Sequence, residues 1–306
     1  MRVLVTGGAG FLGSHLVDSL LQRGDEVVVL DDLSRGSEEQ LPSGIKLIKG
    51  DCRDLESWEK ACENPPDLIH HLAAINGTRL FHEIADVVVD VNVNGTKNAI
   101  SIAKKYGVRL VFYSSPEAFG EQENMPLSNK SNSLFPPANL HQRHSYGASK
   151  YLGEIMVQHA VRSGLDARIV RPYNVYGPRL HGGKNGQVVA MMIQDALQNK
   201  FVEIHGDGTQ TRSLTWVEDV VTGMLLVGDI PKLAGQSFNL GSTVETQINV
   251  LAELVCKFTG AEKKYVDANH GDSKRRVPDV TGNKIIGWRA TTSLESGLRN
   301  LIDGTQ

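Results

Sequence analysis

The chain has 306 residues, 40% of them apolar and 22% charged, with a formal net charge of −3. That length can bury a sizeable core in one large or two smaller domains, and the near-neutral charge excludes a global basic field for nucleic acid. No apolar run reaches the roughly 18 residues that span a bilayer, and Cys52, Cys62 and Cys256 form neither a CxxC pair nor a disulfide framework, so a cytoplasmic protein with reduced thiols, no membrane anchor and no metal centre is expected.

Residues 2–6 (RVLVT) read as a short buried strand, 11–22 as a helix, 26–30 (EVVVL) as a second strand and 45–49 as a third. A fourth strand, 67–72 (DLIHHL), precedes a long helix over 88–106, and 109–113 (RLVFY) is the fifth strand. A loop rich in Pro, Asn and Ser fills 121–143, a helix follows over 148–162, and 167–170 is the sixth strand. Such alternation predicts an α/β fold, a parallel sheet with helices on both faces, doubly wound because the crossovers are right-handed. Further on, 172–208 reads as loop and helix, 217–227 as helix, 237–240 as a short strand and 249–260 as a helix closed by Gly260. Residues 261–287 are polar, with a basic cluster at 274–276. The expected division is a first domain over 1–172, with segments returning to it near 214–240, and a smaller lobe, mainly 173–306, over the carboxyl edge of the sheet.

The segment TGGAGFLG sets Gly7, Gly10 and Gly13 between the first strand and the first helix. Glycines there let the backbone approach a pyrophosphate, and the helix N-terminus offers free N–H groups and a positive dipole. Asp31 falls 18 residues after Gly13, at the end of the second strand. A carboxylate at that place holds both ribose hydroxyls and repels a 2′-phosphate, which favours NAD over NADP. Arg35 keeps the second cofactor open, since a cation there attracts the extra phosphate. Asp51, in GDCRD, reads either as an adenine contact or as the N-cap of the segment after it.

Tyr146 and Lys150, in YGASK, stand four residues apart and so share one helix face. An ammonium beside a phenol favours the phenolate and lowers its pKa, and such a tyrosine can take a proton from a hydroxyl while hydride leaves the same carbon. Ser115, just past the fifth strand, is placed to orient the reacting alcohol. Turn chemistry is the bland alternative for Ser114 and Ser115.

With these motifs in view, the chain resembles an extended short-chain dehydrogenase/reductase of the NAD-dependent nucleotide-sugar epimerase/dehydratase family, built on a Rossmann fold. The resemblance runs through nearly the whole length: TGGAGFLG, LDDLS, GDCRD, HLAA at 71–74, NVNGT at 92–96, SSPEAFG, YGASK, RPYNVYGP at 171–178, GDGTQTRS at 206–213 and RRVPD at 275–279. It implies a tightly held NAD and a nucleoside-diphosphate sugar, most commonly a UDP-sugar, oxidised at C4. Tyr146 would be the base and Lys150 its electrostatic partner, also holding the nicotinamide ribose. Ser115 would hydrogen-bond the sugar 4-hydroxyl. The cofactor-binding set would comprise Gly7, Gly10, Phe11, Leu12, Gly13, Asp31, Asp51, Cys52, Leu72, Ala73 and Ala74, joined by Tyr146, Lys150, Pro172 and Tyr173. Asn174 would meet the sugar or its diphosphate, and Arg212 and Arg276 would clamp the diphosphate through bidentate guanidinium contacts. A homodimer through the helix at 88–106 and the one bearing Tyr146 is implied as well.

SSPEAFG bears on which reaction follows C4 oxidation. In similar dehydratases the positions matching Ser115, Pro116 and Glu117 carry Thr-Asp-Glu or Thr-Ser-Glu, and the middle residue assists leaving-group protonation. Pro116 has no ionisable group, which disfavours elimination, while Glu117, which in those dehydratases handles the C5 proton, keeps a base in reach of C5 and joins Ser115, Tyr146 and Lys150 in the implied catalytic set. Similar UDP-glucuronate decarboxylases share a segment like NGQVV at 185–189 and the Arg-x-Pro-Asp at 276–279. The expected activity is a UDP-sugar 4-epimerase. The alternatives are a UDP-glucuronate decarboxylase, a 4,6-dehydratase or, in another class, a dinucleotide-binding protein without turnover.

Overall fold

The computed structural model describes residues 1–140, 143–180, 182, 187–267 and 275–304, so Lys274 of the basic cluster and residues 185 and 186 of the NGQVV segment lie outside the described residues. Strands β1 (Arg2–Thr6), β2 (Glu26–Asp31), β3 (Lys46–Lys49), β4 (Leu68–His71), β5 (Arg109–Tyr113) and β6 (Ala167–Pro172) alternate with helices α1 (Phe11–Gln22), α2 (Leu55–Ala61), α3 (Leu80–Glu83), α4 (Ala85–Tyr106) and α5 (Ser145–Arg162). Then come β7 (Val175–Tyr176), α6 (Val188–Asn199), β8 (Phe201–His205), β9 (Thr211–Arg212), β10 (Thr215–Trp216) and α7 (Val217–Asp229). The chain continues with β11 (Ser237–Leu240), β12 (Thr246–Gln247), α8 (Ile248–Thr259), β13 (Glu262–Val266) and α9 (Leu294–Asp303).

The main sheet runs β11-β6-β5-β4-β1-β2-β3 and every neighbouring pair is parallel. Its strands read as near-continuous apolar runs because both faces are covered. Along β1 the side chains alternate: Val3 and Val5 join α1 and α7 in one core, while Leu4 joins α2, α4 and α5 in the other. The chain leaves β1 toward β2 and β3 and returns on the other side through β4. The crevice between β1 and β4 is therefore the topological switch point, where ligands bind in open α/β sheets.

Two expectations needed adjustment. Helix α5 starts at Ser145, not 148, which brings Tyr146 inside its first turn. In the polar stretch after 260, β13 pairs in parallel with β8, and α9 follows. The EKKYV strand was hidden by its exposed lysines, since this edge pair buries little of β13. Helix α9 did leave a signal, Leu294, Leu298, Leu301 and Ile302 on one stripe behind the N-cap Ser293.

Consecutive histidines in β4 are wholly buried, one toward each core. His70 Nδ1 lies 2.8 Å from the Tyr113 hydroxyl and His71 Nδ1 2.8 Å from Thr6 Oγ1. Burial pushes both down to about 3 from an ordinary 6.5. The fold therefore holds them neutral, while the unfolded chain protonates them below its own higher pKa. Their contribution is complete above about pH 6.5 and is lost as pH falls toward about 3. Urea unfolding is expected to show a loss of about 2 kcal/mol per histidine between pH 7 and pH 5, with a shallower slope in His70→Gln. Equal stability at the two pH values would contradict it.

Candidate functional site

A cleft of ≈ 1080 Å³ lies over the carboxyl ends of the strands, and its wall includes Gly10, Asp31, Leu72, Ser115, Lys150 and Arg212. At the switch point the TGGAGFLG turn is shaped by close backbone approaches. Gly7 has φ +70°, and a Cβ there would stand 2.7 Å from the Ala73 nitrogen; one at Gly13 would stand 2.1 Å from the Gly7 carbonyl oxygen. Only glycine fits either place. No side chain caps the N-terminus of α1, and Gly10, Phe11, Leu12 and Gly13 line the cleft, so the helix's first amides are available to an anion there.

Asp31 closes β2 at the same cleft. Its carboxylate accepts from Ala9 N and Leu33 N, each at 2.9 Å, and burial still lifts its pKa above the ordinary value. A carboxylate offers about four lone-pair sites, so acceptor capacity remains for two ribose hydroxyls. Phe11, Leu12, Cys52, Leu72, Ala73, Ala74, Arg35 and Pro172 also stand in the wall. Asp51 does not. It is chelated by Arg53, whose Nη2 lies 2.6 Å away, and Asp54 is the N-cap of α2, accepting from Glu56 N and Ser57 N. The N-cap alternative for Asp51 is thereby corrected: the cap falls three residues later, where the helix begins.

Tyr146, Lys150 and Ser115 are brought together. Lys150 Nζ donates to the Tyr113 carbonyl at 2.8 Å and lies 5.8 Å from the centre of the Tyr146 ring. Burial pushes the ammonium down to about 8, so its charge is held with little to spare at neutral pH. Burial likewise drives the Tyr146 phenol well above its ordinary value, while its hydrogen bond with Ser115 pulls the other way. The expected depression of the phenol by Lys150 does not appear in this structure, where burial and the nearby Glu117 carboxylate raise the phenol and the ammonium is bound to a carbonyl.

Ser115 does two things. Besides meeting Tyr146, its Oγ accepts from Glu117 N at 3.2 Å and caps the 3-10 turn Pro116–Phe119. Pro116 occupies the first position of that turn, where a missing N–H costs nothing and a fixed φ helps. Both readings of the serine, chemistry and turn formation, are therefore met by one side chain.

The remaining candidates divide. Asn174 reaches the cleft wall in a left-handed conformation, φ +37°, with a buried Nδ2 that has no partner, an amide aimed at something the protein does not supply. Tyr173 turns away and packs fully buried against Phe119 and Leu127. Arg276 is also buried and outside the wall; its Nη2 donates to the Gly120 carbonyl and lies 3.5 Å from the Glu117 carboxylate. Glu117 itself lines the cleft.

Phe81 was not found in the sequence. Its ring stacks on Tyr146 with centroids 4.8 Å apart and planes at 9°, and Ser145 Oγ holds its carbonyl at 3.0 Å. The four-residue α3 is too short to show periodicity. The only hint was an apolar Leu80-Phe81 pair set between polar residues. Among the described residues there is no cluster of metal-ligating side chains, and no helix is long and apolar enough to cross a membrane.

Comparison with known proteins agrees with this geometry. A family model described as the NAD dependent epimerase/dehydratase family matches residues 3–241. The chain is 33% identical to a UDP-N-acetyl-alpha-D-glucosaminuronate decarboxylase of Bacillus cytotoxicus, over 98% of this chain and 96% of the relative. It is also 33% identical to a UDP-glucose 4-epimerase of Mycolicibacterium smegmatis, over 99% and 98%. The crystal structure of a UDP-glucose 4-epimerase from Thermotoga maritima with UDP-glucose superposes with a TM-score of 0.92 at 32% identity, covering 99% of this chain and 98% of that one. A glycine-built turn at the switch point, Ser115, Tyr146 and Lys150 in the wall of the same cleft and likeness over almost the full length make this chain a member of the NAD dependent epimerase/dehydratase family.

Proposed function

We propose that the chain is an NAD-dependent 4-epimerase of a UDP-sugar. The observation that carries this reading is Ser115, Tyr146 and Lys150 gathered in one cleft wall, with a proline where an elimination acid would stand. Gly7, Gly10, Gly13 and the start of α1 would hold the cofactor's pyrophosphate and Asp31 its adenosine ribose. The dinucleotide supplies a hydride acceptor that becomes the donor for the return step. Ser115 orients the C4 hydroxyl. Tyr146, as the phenolate, takes its proton as the C4–H bond breaks and returns that proton once the keto sugar has presented its other face. Lys150 keeps positive charge beside the phenolate. Asn174 Nδ2 supplies a donor to the sugar or diphosphate, and Arg212 a guanidinium to the diphosphate.

Decarboxylation of a UDP-uronate is the second reading. It is favoured by the Arg276 guanidinium beside Glu117 and by the likeness to the Bacillus cytotoxicus protein. Mass spectrometry of products from a panel of UDP-hexoses and UDP-hexuronates separates the two. Equal-mass 4-epimers are expected. Release of carbon dioxide, or no epimer from any sugar offered, would overturn the epimerase reading.

The chain is also proposed to be a homodimer. Val89 on α4 and Tyr151, Leu152 and Ile155 on α5 are each at least 40% exposed on two helices packed against each other. Ile155→Arg is expected to weaken association by about 3 kcal/mol, roughly a hundredfold in the dimer dissociation constant, read by sedimentation equilibrium. An unchanged association constant would place the interface elsewhere.

A further inference from the structure

Behind the cleft wall lies a buried ion pair that no step above uses. Glu154 follows Lys150 by four residues and Tyr146 by eight on the buried side of α5. Its carboxylate takes a bidentate grip from Arg171, Nε at 2.7 Å and Nη2 at 2.5 Å, and also accepts from Ser114 Oγ at 2.5 Å. Arg171 Nη1 goes on to Asn129 Oδ1 at 2.8 Å and Asn239 Oδ1 at 3.3 Å. Asn239 in turn donates to the Leu127 and Asp279 carbonyls. One pair therefore joins the helix carrying Tyr146 and Lys150, the strand end carrying Ser115, the β6 end leading to Asn174, and the segment leading from Arg276.

Such a pair gives little net stability, because desolvating two charges offsets most of their attraction. What it supplies is a fixed geometry and a local field. We propose that Glu154 and Arg171 form a positioning pair, holding Ser115 against Tyr146 and sustaining the charge on Lys150; this rests on the Ser-Tyr-Lys reading of the reaction. The groups facing Lys150 are Cys52 before α2, His71 on β4, Tyr146 and Glu154 on α5, with Arg171 on β6 behind its carboxylate partner. Glu154 favours the ammonium, whereas burial opposes it. Removing the carboxylate leaves a guanidinium unbalanced and takes from the ammonium a counter-charge one turn along its own helix.

The test is Glu154→Gln, which keeps shape and loses charge. Turnover is expected to fall about tenfold or more with KM for the UDP-sugar changed less than about threefold, and the alkaline limb of the pH profile should move to lower pH by about one unit. The ¹³Cε titration of Lys150, assigned by its loss in Lys150→Met, should move the same way. A purely structural role would lower turnover with the limb and the titration unmoved, and would overturn the inference. Glu154→Leu/Arg171→Met removes both charges and should keep fold and NAD content while losing the same turnover; wild-type turnover in that folded variant would also overturn it. If the unmodified protein epimerises nothing, the functional reading has failed, and the Lys150 titration alone decides the pair: a lower midpoint in Glu154→Gln supports it and an unchanged one sinks it.

Discussion

Tyr146→Phe is expected to lower turnover by about 10²–10⁴-fold while leaving NAD binding and thermal stability close to those of the unmodified protein. The reason lies in what the hydroxyl touches. Its ring packs against Phe81 and Val88, and phenylalanine reproduces that packing. The oxygen meets Ser115 and no backbone group of the fold depends on it. The loss therefore falls on proton transfer and on the orientation of the alcohol, a barrier increase of about 3–5 kcal/mol. Burial holds the phenol protonated in this structure; on the proposed reading, a bound nicotinamide's positive charge together with Lys150 would lower it. The measurement is steady-state turnover on the UDP-sugar that the product panel identifies, with bound NAD quantified in the same preparations. Substantial activity retained in the variant would remove Tyr146 from the reaction. Loss of NAD together with activity would assign it to the binding site instead.

Much of the site could be read from local sequence because its chemistry is local. The glycine turn and Asp31 act through backbone approach and strand position, both set within one strand–helix–strand unit. Tyr146 and Lys150 need only helical spacing. What stayed hidden depends on segments far apart in the chain. Nothing in RRVPD says that Arg276 turns inward to the Gly120 carbonyl, because that contact spans 156 residues. Nothing in RPYNVYGP says that Arg171 grips Glu154 while Tyr173 is swallowed by Phe119 and Leu127. The doubly wound sheet followed from its apolar strands, whereas β8 and β13 escaped because an exposed edge pair has little hydrophobic pattern to show. Pro116 was legible as a chemical absence, and its presence has a structural cause, the first position of a turn that Ser115 caps.

Gly147→Ala is expected to cost both stability and turnover, although Ala is the better helix former by about 1 kcal/mol. Gly147 follows Tyr146 in the first turn of α5. A Cβ there would lie 2.3 Å from the Glu117 carbonyl oxygen and 3.0 Å from its carbon. Both atoms are backbone, so no rotamer change relieves the overlap, and α5 must part from the 3-10 turn by about an ångström. Overpacking of this kind costs about 1–3 kcal/mol, which outweighs the gain in helix propensity. The separation also carries Tyr146 away from Ser115, and a shift of that size is worth about a hundredfold in rate. Gly153→Ala is the informative companion. Its Cβ would meet Phe112 Cζ at 2.5 Å, a ring that can tilt, two turns away from the reacting hydroxyl. Its melting temperature should fall as well, with turnover changed far less. If the two variants lost turnover in equal proportion, the contact between α5 and the Ser115 turn would not be what sets the active geometry; loss concentrated in Gly147→Ala would mean that a glycine inside YGASK is needed for how closely helix and turn approach.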